Sequence, residues 1–514
     1  MGLLSRISAG LGGSASGERQ RFLGLWFLAL LLAGIAVGLG LATRDLRPMH
    51  TDEAGNAVSV GQALEGTPFV YDPRDRHGPS WFALAGLVVR VAGATDAASL
   101  TEVQVRLPSL LAWLALLLTV PWWGRVLPGP APVLAGVWWA CAAPMVYYGG
   151  YAIHEPLLVL LTMLAWLVGI AWLTAIRPGV RWIWAGILGA LIATGLATKE
   201  TAILALGAVV MALVLAVPVA RWRLEFSARR GELALLAATV VAGVLLWFSD
   251  GGRHPEGIKN LLGVFAGMGT RAAGAGHESP WSTYLAWYLL PHPRSLPWSG
   301  WVLALGFVPG AWLAWRQRRD TPLPWILALS VMILALIHSV IPYKTPWLML
   351  QVLVPGALVA GVGWAALGRG ITYRLGWPAL VLGGCGVLTV LLLETRQLAF
   401  RWPVDPANPL AYAHTVPDCE RLAERISRQV AGHAGPVAVV GGDPWPLPWY
   451  LRRCPQVWYW PDLRALPPVG RFTAVVVLAD AGDAERFFPD GWTSRVFGMR
   501  PEILAQLYLP PEPP

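Results

Sequence analysis

The stretch FLGLWFLALLLAGIAVGLGLA at 22–42 decides the fold. It carries no charge and is long enough to cross a bilayer core as one helix, which takes about 20 residues. It is too long for the apolar core of a signal peptide, and no convincing small-residue cleavage site follows it, so it reads as a retained first span. Arg6, Arg19 and Arg21 precede it, which places its N-terminal end in the cytoplasm by the positive-inside rule. Further apolar runs lie at 107–126, 133–148, 156–175, 182–197, 202–220, 233–248, 298–315, 325–341, 346–367 and 375–393. A polytopic α-helical membrane protein with about eleven transmembrane helices is expected.

Composition agrees with that reading. Of 514 residues, 55% are hydrophobic and 13% charged, whereas soluble domains carry about 25% charged residues. The 29 Trp suit membrane–water interfaces and the 43 Pro suit broken or kinked spans. The formal charge of +9 comes from arginines on short loops. No basic patch interleaved with aromatics marks a soluble segment, so no nucleic-acid partner is expected. Cys141 and Cys385 sit in apolar runs as packing residues. Cys419 and Cys454 lie near the C-terminal end, where an oxidising compartment would allow a disulfide.

Threading the runs in alternation sorts the polar residues. One set of loops holds Arg125, Arg177, Arg181, Arg221, Arg223, Arg229, Arg230, Arg316, Arg318, Arg319, Arg369 and Arg374, and is cytoplasmic by the positive-inside rule. The opposite set holds His50-Thr-Asp-Glu53, the segment 72–77, Arg106, His154-Glu155, Lys199-Glu200 and Tyr343-Lys344. Clusters mixing acids, His and bases thus fall on one side, which points to a single external reaction face. The apolar segment 79–91 would break the alternation if it crossed, so it is placed as an interfacial helix in the first external loop, with a re-entrant hairpin as the alternative.

Two domains are expected: a transmembrane domain at 1–393 and a small extracytoplasmic α/β domain at 394–514. In the latter, 418–430 is predicted helical with Asp418 as its cap. Residues 437–442 and 472–478 are predicted strands, and 457–460 a weaker one.

The chemistry-bearing candidates lie at the span ends. Asp52 and Glu53 follow the first span. Either they cap a helix running through Ala63, with Thr51 or Asp52 as the cap, or one serves as a base while the other tunes it. Arg74, Arg76 and His77, before the interfacial helix, suit a lipid phosphate or merely fix helix depth. Arg106 is a phosphate contact or a flanking charge. Glu155, beside His154, is a cap-region acid or a second site acid. Lys199 and Glu200 either pair to cap a hairpin or serve the site; Tyr343 and Lys344, flanked by two prolines, are expected to serve it, because ionisable groups between spans are expensive. No metal or other cofactor is expected, since no H-E-x-x-H or paired-Cys pattern occurs; a divalent ion would have to draw on His50, Asp52, His154 and Glu155.

At the motifs HTDE (50–53), YDPRDRHGP (71–79), RLPS (106–109), Tyr147-Tyr148, His154-Glu155, ATKET (197–201), IPYKTPW (341–347) and WPLPWYLR (445–452), the sequence resembles the GT-C superfamily. These are polyprenyl-phosphate-sugar-dependent membrane glycosyltransferases, among them protein O-mannosyltransferases and aminoarabinose transferases. The prokaryotic flippase-activity-associated branch is nearest in pattern. The resemblance implies an inverting transfer from a polyprenyl-phosphate sugar to an acceptor hydroxyl on a glycan, lipid or protein. It assigns the base to Asp52 and a second loop acid to Glu155. It also implies a bacterial-type inner membrane, with the N-terminus cytoplasmic and the C-terminal domain outside. His77-Gly78-Pro79 departs from the Lys-Pro-Pro of relatives, and Gly149-Gly150 stands where relatives have a Ser-Arg pair. A transporter or flippase component, the main alternative, would show charges at mid-membrane and repeated halves, and neither is seen. A non-catalytic scaffold is the third reading.

Overall fold

The structure is a computed structural model and describes residues 15–73, 76–218, 227–272, 278–433, 435–479 and 484–511. Each apolar run of the sequence overlaps one or two helices among the described residues. Among the described residues seven helices are long and apolar enough to cross a membrane, or eight if the bent pair Ala131–Cys141 and Ala143–Gly149 is one span. That pair breaks by 59° where Pro144 opens the second piece, a residue that starts a helix but cannot continue one. The runs at 346–367 and 375–393 join in one long element, Leu350–Thr395, interrupted at Gly376 with φ 81°. Ala202–Ala216 is shorter than its run, at 15 residues. Pro79–Val91 has 13 residues, about 20 Å of helix at 1.5 Å per residue, against a hydrocarbon core of about 30 Å.

Contact density divides the chain into two compact units. The first comprises Met1–Thr43, Phe69–Leu84 and Leu107–Trp402. Its helices leave large apolar side chains outward: Leu23, Phe27 and Leu30 on Ala15–Thr43, and Val241 and Leu246 on Arg230–Phe248, are all more than half exposed. Such a belt suits lipid and not water. Inside, helices are pinned by indole N–H groups: Trp113 Nε1 donates to Trp139 O (2.7 Å), Trp138 Nε1 to Ser299 O (3.0 Å) and Trp139 Nε1 to Val354 O (3.0 Å). The helix Trp298–Arg316 crosses Leu350–Thr395 at Gly306, Gly310 and Gly363. A Cβ on Gly363 would overlap the Gly306 carbonyl, and one on Gly310 the Val359 carbonyl. Small residues permit this backbone approach, as at many membrane helix crossings. Glu394 accepts from the Ser299 backbone N–H at the start of Trp298–Arg316 (2.6 Å) and from its hydroxyl, satisfying donors that a helix start leaves open.

The second unit comprises Arg44–Pro68, Ala85–Arg106 and Pro403–Pro514. Its sheet has five strands, β1 (Val437–Val440), β2 (Val457–Trp460), β3 (Ala474–Leu478), β4 (Thr493–Arg500) and β5 (Ile503–Leu509), in the order β2-β1-β3-β5-β4. β1 pairs in parallel with β2 and β3, while β5 is antiparallel to both β3 and β4. The helix Pro417–Gly432 buries Cys419, Leu422 and Ile426 against Val437, Val439, Val476 and Leu507 on one face. The other face gathers Ala438, Val440, Val475 and Phe472. Both predicted strands and the weaker one are present. The β4–β5 hairpin was not foreseen, because the first half of β4 is exposed and opens with the polar residues Thr493, Ser494 and Arg495. Asp418 does not cap its helix: Val416 holds the cap position with no side-chain bond, and Asp418 pairs with Arg421 instead. Cys419 and Cys454 are free thiols, and burial pushes Cys419 up to about 12.

Candidate active site

In the second unit, the helix Thr51–Leu64 begins at His50, and not at Thr51 or Asp52. His50 Nδ1 accepts from the Asp52 backbone N–H at 3.1 Å, and the Glu53 carboxylate accepts from the His50 N–H at 3.1 Å. This is a capping box with histidine in the place usually held by Ser or Thr. An Nδ1 that accepts leaves the ring proton on Nε2, which donates to Tyr412 O at 3.1 Å. The cap fixes the backbone of Asp52, whose side chain is exposed.

Glu53 has the opposite environment. It is fully buried and gripped by Arg106, Nε to Oε1 at 2.9 Å and Nη2 to Oε2 at 3.1 Å, with Arg47 at 3.6 Å. Arg106 also donates to the carbonyls of Arg44 (2.5 Å), Arg47 (3.3 Å) and Pro48 (3.4 Å). Its guanidinium, expected as a phosphate contact or a flanking charge, is engaged with protein acceptors. Tyr412 is pushed up by burial and by the charge of Asp52. His414, 5.6 Å from the His50 ring, is held well below the usual range, chiefly by burial.

In the first unit, the segment holding Tyr71 and His77 lies against the end of the helix Pro178–Thr198. Gly78 makes this possible: a Cβ there would overlap the Ala197 carbonyl. Ser80 Oγ and Thr198 Oγ1 meet at 2.7 Å. Lys199 has extended backbone, φ −156° and ψ 137°, so the adjacent side chains of Lys199 and Glu200 point to opposite sides. The expected Lys199–Glu200 pair therefore does not form. Lys199 donates to Glu155, buried with it. Glu200 accepts from Tyr71 Oη at 2.5 Å and faces His77 Nδ1 at 3.1 Å. Burial pushes Glu200 up, but the His77 and Tyr71 hydrogen bonds outweigh it and bring the carboxyl down to about 2. A carboxylate accepts, so His77 Nδ1 is the donor.

His154 is buried among Trp81 (5.0 Å), His77 (5.2 Å) and Phe82 (5.4 Å), and its Nε2 has no partner among the described residues. Burial, followed by the charges of His77, Lys199 and Arg76, keeps it neutral. Lys344, expected to serve function, is also buried. Its ammonium donates to His338 O (3.1 Å), Ser339 O (2.8 Å) and Ile341 O (2.5 Å), the carbonyls that the end of Pro322–Val340 leaves open. Tyr343 is partly exposed. Arg76 is described, its N–H bonded to Asp72 O at 2.9 Å; Arg74 lies outside the described residues. Among the described residues no three His, Cys, Asp or Glu side chains gather as metal ligands. Sequence reasoning missed Tyr71, Arg47, Tyr412 and His414 as partners. Only Tyr71 carried a signal, opening the motif that contains His77.

No family model matches the chain, and no curated protein matches it by sequence. Solved structures do. ArnT from Cupriavidus metallidurans in the apo state matches with a TM-score of 0.63 at 15% identity, over 93% of this chain and 97% of that one. The same figures hold for ArnT bound to undecaprenyl phosphate. The chain has the ArnT fold. A weaker likeness, TM-score 0.53 at 12% identity over 87% of this chain and 69% of the other, is to the archaeal oligosaccharyltransferase AglB from Archaeoglobus fulgidus in complex with an inhibitory peptide and a dolichol-phosphate. A multi-pass helical membrane fold with a small sheet domain is therefore the architecture adopted. Folds at this identity do not by themselves transmit a reaction.

Proposed function

We propose that the chain is a membrane glycosyltransferase that moves a sugar, with inversion, from a polyprenyl-phosphate donor to an acceptor hydroxyl on the extracytoplasmic face. The observation that carries this reading is the likeness to ArnT over nearly the whole of both chains, one of those structures holding undecaprenyl phosphate. The acceptor hydroxyl must lose a proton as the new bond forms, and a general base needs hydrogen-bond reach to it. Asp52 suits that role: it is exposed and its backbone is fixed by the His50 cap. The departing phosphate needs positive charge more than a proton, and His77, Arg76 and Arg74 are assigned to it. Lys199 pairs with Glu155 and orders it. Glu53, Arg106 and Lys344 hold the frame. The N-terminus is assigned to the cytoplasm and the sheet domain to the outside of a bacterial-type inner membrane, on the arginine distribution.

The test uses purified full-length protein, a labelled polyprenyl-phosphate sugar, and a panel of glycan, lipid and peptide acceptors. Wild type transfers, and Asp52→Asn transfers at least about a thousandfold more slowly while folding normally. Equal rates remove Asp52 as base, and no transfer to any acceptor overturns the enzymatic reading.

A further inference from the structure

The departure of His77-Gly78-Pro79 from a lysine-bearing motif raises the question of how a histidine, neutral for part of the physiological pH range, could serve a phosphate. The structure around it supplies an answer in three linked groups. Tyr71 Oη donates to Glu200 Oε1 at 2.5 Å, and Glu200 Oε2 accepts from His77 Nδ1 at 3.1 Å. Tyr71 is itself anchored, its carbonyl accepting from Asn260 Nδ2 at 2.7 Å and its ring packed edge-on to Phe248 at 4.8 Å. The Glu200 side chain is 8% exposed while that of His77 is 41% exposed. The carboxylate is thus buried, while the imidazole that donates to it is partly exposed.

We propose that Glu200 and Tyr71 are positioning residues which hold His77 by Nδ1, so that Nε2–H is delivered as a charge-assisted donor to an anionic oxygen of the donor phosphate. A carboxylate behind a histidine fixes the ring's orientation and tautomer. Imidazolium-to-phosphate bonds are of the stronger, charge-assisted kind. His154 lies beside His77, ring centroids 5.2 Å apart, and the charges of Lys199 and Arg76 act on His154. His154 is neutral, and the Lys199 charge is answered by Glu155, which leaves Glu200 as the carboxylate in hydrogen-bond contact with the His77 ring. Tyr71 acts through Glu200 by holding its second oxygen. The inference rests on the donor reading above and names the group that answers the phosphate.

The experiment measures equilibrium binding of undecaprenyl phosphate to full-length protein in nanodiscs between pH 5.5 and 9, for wild type, Glu200→Gln, Tyr71→Phe, His77→Lys and the double variant His77→Lys/Glu200→Gln. Wild-type affinity falls as pH rises and the imidazolium deprotonates. In Glu200→Gln the fall sets in at lower pH, with roughly tenfold weaker binding at pH 7; Tyr71→Phe moves it in the same direction by less. His77→Lys removes the fall below pH 9, and Glu200→Gln changes affinity less than about twofold in that background. A parallel loss at every pH in Glu200→Gln makes Glu200 merely structural and overturns the inference. Equal sensitivity to Glu200→Gln in both backgrounds, or loss of all binding in His77→Lys, does the same. Absence of binding by wild type at any pH fails the donor reading itself and takes this inference with it.

Discussion

Asp52 and Glu53 are neighbours in sequence with opposite environments. Glu53 turns inward, is fully buried, and shares two hydrogen bonds with Arg106, whereas Asp52 faces outward. Removing one partner of a buried pair leaves an uncompensated charge, at a cost of about 3–5 kcal/mol. Glu53→Ala is therefore expected to lower thermal stability markedly, while Asp52→Asn leaves the melting temperature unchanged and removes transfer. Thermal unfolding followed by tryptophan fluorescence, run beside the transfer assay, separates the two. The same logic applies to Lys199 and Glu155: Lys199→Met destabilises more than the double variant Lys199→Met/Glu155→Leu, in which neither charge is left buried. A double variant as unstable as the single one would show that the pair is not what these residues contribute.

At the scale of elements, a histidine cap opens the helix that carries Asp52. Loss of a cap typically costs about 1 kcal/mol. His50→Ala is expected to speed hydrogen exchange at the amides of residues 52–54, with His50→Asn close to wild type because its side chain can accept the same bond. In the sheet domain, Cys419 is a core residue beneath Pro417–Gly432 whose thiol burial pushes up to about 12, while Cys454 is only partly buried. A maleimide at pH 7.5 should leave Cys419 unlabelled until the domain is denatured, and label both afterwards without reductant. Labelling of neither in denaturant would instead mean that they are joined.

For the molecule as a whole, the crossing at Gly306, Gly310 and Gly363 leaves no room for a side chain. Gly363→Val is expected to abolish stable expression, read as loss of a monodisperse peak in detergent, because backbone and not a flexible side-chain tip stands in the way.

Most of the architecture was legible in the sequence, because a membrane span is a local property: twenty apolar residues announce themselves wherever their neighbours lie. The run at 22–42 and the continuously apolar strands at 437–440 and 474–478 carry their signal within their own length. The site was legible only as an inventory of ionisable groups. Which of them are free was decided by tertiary structure, since a hydrogen-bond partner can come from any distance along the chain. Arg106 meets Glu53 and Tyr71 meets Glu200 across 53 and 129 positions, and Lys344 turns back onto helix-end carbonyls. Hydropathy is summed residue by residue, whereas saturation of a donor depends on what the fold brings within 3 Å of it.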